Sequence, residues 1–123
     1  MHELTIAQSI LDIVLVAAAE QDAAAIRRIR LLVGELTQVV PQSLEFGFAM
    51  LAAGTMAEGA QLEIVAVELT GRCGQCGLQF NIRQNRFICP GCSSAGITVL
   101  TGRELIVDLF EVEDGNKGNG QYS

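Results

Sequence analysis

An α+β fold is predicted: a three-stranded sheet covered by two helices, with a small module inserted before the last strand. Three observations predict it. Helix-period and strand-period segments alternate in the first half of the chain, four cysteines cluster between residues 73 and 92, and one more strand follows them. The 123 residues suffice for one domain or for one domain carrying an appended module, and a composition that is 50% hydrophobic and 18% charged supports a buried core.

The first element is a helix over Leu4–Ala19. Thr5, Gln8, Ser9 and Asp12 recur at three- and four-residue spacing and form one narrow polar stripe, while Ile6, Ile10, Leu11, Ile13, Val14 and Leu15 fill most of the remaining circumference. So broad an apolar face predicts a helix buried in the core, and it leaves room for self-association as a homodimer. Ile26–Val33 is β-branched and Leu-rich, with Arg28 and Arg30 facing away from Ile29 and Leu31, and Gly34 ends that strand. A second helix starts at Pro41, runs through Leu44, Phe48 and Leu51, and stops near Gly54. Residues Leu62–Val67 form the second strand and Glu104–Val112 the third. The Gly/Asn-rich stretch 114–123 is expected to be disordered.

The cysteines Cys73, Cys76, Cys89 and Cys92 read Cys-x2-Cys-x12-Cys-x2-Cys. Met1-His2-Glu3 offers neither a basic n-region nor a cleavage site, so a cytoplasmic location is expected, where thiols stay reduced. Two Cys-x2-Cys turns fit a tetrahedral Zn(II) site, and Gly74, Gly77, Pro90 and Gly91 place turn formers where the backbone must fold around sulfur. Four protein ligands leave no open position, so this zinc is expected to be structural. An iron centre with the same four thiolates is geometrically close. A redox Cys-x2-Cys would open a helix, and neither pair does so. The x12 spacer accommodates a hairpin running out along Gln79–Ile82 and back through Arg86–Ile88.

The net charge is −6, yet residues 70–103 carry Arg72, Arg83, Arg86 and Arg103 and no acid. Once four thiolates hold a divalent ion, that segment keeps about +2, a mild positive knob on an acidic body. A zinc-ribbon interaction module binding nucleic acid or a protein complex through Arg72, Arg83, Arg86 and Phe80 or Phe87 is the alternative reading. The surface is thin for that purpose, and no nucleic-acid partner is expected. Polar residues interrupt every apolar run before the ~18 residues of a membrane span, so no membrane partner is expected either.

His2 is the only histidine. The α-amine, the His2 amide and the imidazole Nδ1 can chelate one ion, with the Glu3 amide or carboxylate as a fourth donor. Such a nitrogen-rich set favours Ni(II) or Cu(II) over Zn(II). Taken alone, a histidine at position 2 is more often a solvated residue at a helix start, with Glu3 an ordinary first-turn acid.

Met1-His2-Glu3-Leu4 resembles the amino end of the nickel metallochaperone family that matures [NiFe]-hydrogenases. So do Val33-Gly34-Glu35-Leu36, Pro41-Gln42-Ser43-Leu44-Glu45-Phe46, Gly54-Thr55, Glu58-Gly59-Ala60, both cysteine pairs and Gly102-Arg103-Glu104-Leu105. The match extends from residue 1 to about 113. The resemblance implies a nickel-binding α/β domain over 1–69 and 99–113 and a zinc-binding domain over 70–98. It implies Ni(II) at Met1, His2 and Glu3, and zinc at Cys73, Cys76, Cys89 and Cys92. It further implies a carrier, not an enzyme, that works with a GTPase accessory protein and delivers nickel to the hydrogenase large-subunit precursor, with urease served by some members. No Gly-x4-Gly-Lys-[Ser/Thr] loop is present, which agrees with nucleotide hydrolysis by a separate protein.

Overall fold

The computed structural model describes residues 3–114. The expected tail beyond Asp114 lies outside them. The order is α1 (Glu3–Glu20), β1 (Ala23–Gly34), a 3-10 turn (Glu35–Thr37), α2 (Pro41–Ala52), β2 (Gln61–Val67), β3 (Thr70–Cys73), β4 (Gln79–Asn81), β5 (Ile97–Thr101) and β6 (Leu105–Asp114). Two three-stranded sheets form, ordered β2-β1-β6 and β4-β3-β5. The fold is α+β, as expected. No described helix is long and apolar enough to cross a membrane.

The chain separates into two compact units, one of residues 1–31, 39–64 and 107–123, the other of residues 32–38 and 65–106. In the first, the core gathers Ile6, Ile10, Leu11 and Val14 of α1, Leu44 and Phe48 of α2, and Ile26, Ile29 and Leu31 of β1, all almost fully buried. Gly47 allows the helices to close, since a Cβ there would sit 3.2 Å from the Leu4 side chain. The expectation that α1 is a well-buried core helix holds for one stripe only. Leu4, Ile13 and Val16 are at least half exposed, because a helix packed on one side buries a single stripe, here positions 6, 7, 10, 11, 14 and 18.

On the sheet face opposite Ile29 and Leu31, as expected, stand Arg28 and Arg30. Glu63 of β2 pairs with both, at 3.0 and 3.3 Å, while Glu111 and Asp108 of β6 lie 3.1 Å from Arg28 and 3.6 Å from Arg30. Arg27 pairs with Glu113. These partly exposed pairs fix cross-strand neighbours more than they add stability.

The second unit is built on β3, which pairs antiparallel with both neighbours: Thr70 opposes Asn81 and Thr101, and Arg72 opposes Gln79 and Thr98. The expected hairpin from Gln79–Ile82 back through Arg86–Ile88 is therefore corrected. The chain does turn at residues 83–86, but β4 takes β3 as its partner, and the returning arm is drawn into the second cysteine turn, where the Cys89 amide bonds to the Ser94 carbonyl. Gly71 is required at the sheet's centre, since a Cβ there would meet Ile97 and Ile82 at 2.7 and 2.9 Å.

Candidate metal centre

The two cysteine turns repeat one backbone plan. Gly77 N–H donates to the Cys73 carbonyl (2.9 Å) and Cys73 N–H to that of Leu78 (2.9 Å). In the second turn Ser93 N–H donates to the Cys89 carbonyl (2.8 Å) and Cys89 N–H to that of Ser94 (2.9 Å). Sulfur is treated alike in both: Gln75 N–H points at Cys73 Sγ and Gly91 N–H at Cys89 Sγ, each at 3.3 Å. The fourth residue after the leading cysteine takes positive φ, +79° at Gly77 and +65° at Ser93. Glycine adopts that region without cost, and serine gives up roughly 1 kcal/mol to do so. The sequence did not reveal Ser93 in this role, although aligning Cys-x2-Cys-Gly with Cys-x2-Cys-Ser would have.

Each turn buries one sulfur and exposes the other: Cys73 and Cys89 are buried, Cys76 and Cys92 exposed. Cys73 Sγ lies 3.5 Å from Cys92 Sγ and Cys76 Sγ 3.6 Å from Cys89 Sγ, with all four sulfurs within 4.8 Å of one another. A tetrahedral ion with ~2.3 Å bonds to sulfur needs its ligands ~3.8 Å apart. The donor set thus fits a thiophilic tetrahedral cation such as zinc.

Electrostatics point the same way. The Cys76 amide, helped by that of Gln75, brings the Cys73 thiol down to about 6. The Ser94 amide favours the Cys92 thiolate, but the Cys73 sulfur beside it, together with Cys89 and Cys76, pushes Cys92 up to about 12. Cys76 is also raised, against the pull of the Leu78 amide, chiefly by Cys89. Thiolates this close cannot all ionise by themselves, and a divalent cation would supply the missing positive charge.

Around this centre Glu35 and two glycines lock the second unit. Glu35 Oε1 accepts from the Leu69 amide at 2.9 Å. Gly34 N–H donates to the Glu104 carbonyl (2.7 Å) and Leu36 N–H to the Gly102 carbonyl (2.8 Å), so Val33-Gly34-Glu35-Leu36 and Gly102-Arg103-Glu104-Leu105 face each other. Their contact was not evident in the sequence.

Of the amino-terminal residues singled out in the sequence, Met1 and His2 lie outside the described residues. Glu3 opens α1, half-buried, and its Oε2 accepts from the amide of Val40 at 3.3 Å, just before Pro41 starts α2.

A sequence model described as hydrogenase/urease nickel incorporation, metallochaperone, HypA matches residues 1–112. The chain belongs to the HypA family. It is 39% identical over 116 residues to the hydrogenase maturation factor HypA of Chlorobium limicola, covering 94% of this chain and all of that one. To the protein of the same name from Streptomyces avermitilis it is 41% identical over 117 residues, covering 94% and 89% of the two chains. The fold is similar to the solution structure of the Ni metallochaperone HypA from Helicobacter pylori, with a TM-score of 0.69, 21% identity, and coverage of 93% of this chain and 99% of that one. HypA proteins are metallochaperones and maturation factors, so this chain is not an enzyme.

Proposed function

We propose that the chain carries Ni(II) at its amino terminus and passes it, together with a GTPase accessory protein, to the large-subunit precursor of a [NiFe]-hydrogenase, with urease as a second recipient. The observation that carries this reading is the HypA match beginning at residue 1, which includes Met1-His2-Glu3. Nickel is cargo. Its donors are the α-amine of Met1, the amide and imidazole Nδ1 of His2, and the amide of Glu3. The Glu3 carboxylate is turned to Val40, which favours the amide as the fourth donor. A site at a chain end exchanges ligands without unfolding a core, and protonation of His2 or the α-amine releases the ion as pH falls.

Zinc is the resident ion of Cys73, Cys76, Cys89 and Cys92, and its role is structural, because four thiolates leave no position for cargo. The nickel-binding domain spans 1–69 and 99–113 and the zinc-binding domain 70–98, and the carrier acts in the cytoplasm. The test is a Ni(II) titration of zinc-loaded protein, native against His2→Ala, followed by calorimetry and ultraviolet–visible spectroscopy. One nickel lost in the variant with zinc retained is the expected result. Equal nickel binding by the two proteins, or by a protein extended by one residue before Met1, overturns the amino-terminal site. No nickel binding in any of them leaves only the zinc-ribbon interaction module.

A further inference from the structure

The cysteine unit carries a groove that holding a metal does not require. Residues Arg83–Arg86 form a tight turn in which Gln84 and Asn85 both take positive φ, +55° and +57°, and Arg86 N–H donates to the Arg83 carbonyl at 3.0 Å. Two left-handed central residues define a type I′ turn, whose ends lie within ~7 Å of each other. The turn therefore sets two guanidinium stems side by side. Both border a cavity of about 400 Å³ whose other walls include Phe80, Ile88, Pro90 and Ser93, and no acid lines it.

Arg83 and Arg86 are exposed, and neither pairs with a carboxylate among the described residues. In the other unit Arg27, Arg28 and Arg30 are all ion-paired. Like charges at adjacent stems repel, so the fold gains nothing from this pair by itself. Ile88 is 50% exposed beside them and adds an apolar wall. Paired guanidinium groups over an apolar wall suit carboxylates flanking an apolar side chain.

Charge also restricts the occupant. Arg83 borders a second cavity lined by Glu35 and Glu68, so a polyanion tracking past Arg83 would run against two carboxylates. That disfavours nucleic acid, which needs a continuous positive track. A second copy of the chain is disfavoured as well, because its sheet acids Glu63, Asp108, Glu111 and Glu113 already pair with its own arginines. We infer that the groove formed by Phe80, Arg83, Arg86 and Ile88 docks a short acidic segment of a partner protein, with an apolar residue seated between its carboxylates. This docking does not depend on nickel.

The test pans a random peptide display library against zinc-loaded full-length protein and against its Arg83→Gln/Arg86→Gln variant. Selected peptides are then measured by fluorescence anisotropy at low and high salt. Zinc content and circular dichroism report whether the variant is folded. The expected result is enrichment of Asp and Glu around one apolar residue on the native protein, with binding about tenfold weaker in the double variant and weakened by salt. Ile88→Ser, at an exposed position, should relax selection of the apolar residue and leave the acidic preference. Absence of acidic enrichment, or equal binding by the double variant, overturns the inference. So does tighter binding of oligouridylate at the same arginines, or a concentration-dependent dimer abolished by the double variant.

Discussion

Gly34→Ala separates two reasons for a glycine. Gly34 lies at φ −72° and ψ 147°, where alanine is comfortable, so backbone conformation alone predicts a gain of ~0.4–1 kcal/mol from the stiffer unfolded chain. Space predicts the reverse. The new Cβ would stand 2.2 Å from both C and O of Gly102 and 2.6 Å from Arg103 N, all backbone atoms with no rotamer to turn aside. Reaching ordinary contact requires moving Gly34 and the Gly102–Arg103 backbone apart by about 1 Å, which breaks the 2.7 Å bond to Glu104 and the 2.8 Å bond from Leu36 to Gly102. Each is worth ~1 kcal/mol net, and more where a buried partner stays unsatisfied, so the loss after the entropy gain is ~2–4 kcal/mol. Gly54 is the control. It has φ +81° with nothing within 4 Å of its Cβ, and Gly54→Ala should cost only the left-handed penalty of ~1–2 kcal/mol. Urea unfolding of the metal-loaded protein by circular dichroism, at unchanged m value, reads the difference. A midpoint for Gly34→Ala at or above that of Gly54→Ala would refute the packing argument.

Cys76→Ser should lose tight metal binding and the ordered cysteine unit, checked by metal content and loss of amide protection in β3–β5, because three thiolates close no tetrahedral centre. Zinc uptake at pH 7 should release fewer than four protons, since Cys73, lowered to about 6, is already largely ionised. The count should rise as pH falls through that value, and calorimetry in two buffers of different ionisation heat measures it. Glu63→Gln removes the shared partner of Arg28 and Arg30 at sites about one-third exposed, so it should cost no more than ~1 kcal/mol and lose that effect in high salt, as read by urea midpoints.

Much of the fold was legible because period and punctuation agreed. Pro41 is the first residue of α2, Gly34 the last of β1, and Arg28 and Arg30 do stand opposite Ile29 and Leu31. Composition misled on α1. Apolar residues all round a helix say that it can be buried on any side, but only packing decides which stripe is, and Ile13 and Val16 were left out. The β3–β4 pairing was hidden for a related reason. Local hairpin logic favours the nearest arm, whereas Arg86–Ile88 serves the second cysteine turn and the sheet recruits Thr70–Cys73 instead.

At the candidate metal centre, spacing alone picked out the four cysteines that the fold brings together, because Cys-x2-Cys encodes a local turn whose hydrogen bonds close within six residues. What spacing did not encode was the support that is distant in sequence: Glu35 on the Leu69 amide, Gly34 against Gly102, and Ser93 doing in the second turn what glycine does in the first. The same contrast bears on cargo. A centre with four sulfurs within 4.8 Å, two of them buried, has no vacant position from which an ion can be handed on without breaking the turns that hold it. An ion meant for transfer needs harder donors on a segment that can let go. The chain offers its single histidine one residue from the amino end, directly before a glutamate whose carboxylate is anchored at the start of α2. In the proposed nickel site, release would begin from the donors that precede Glu3, whose own carboxylate is held by the Val40 amide.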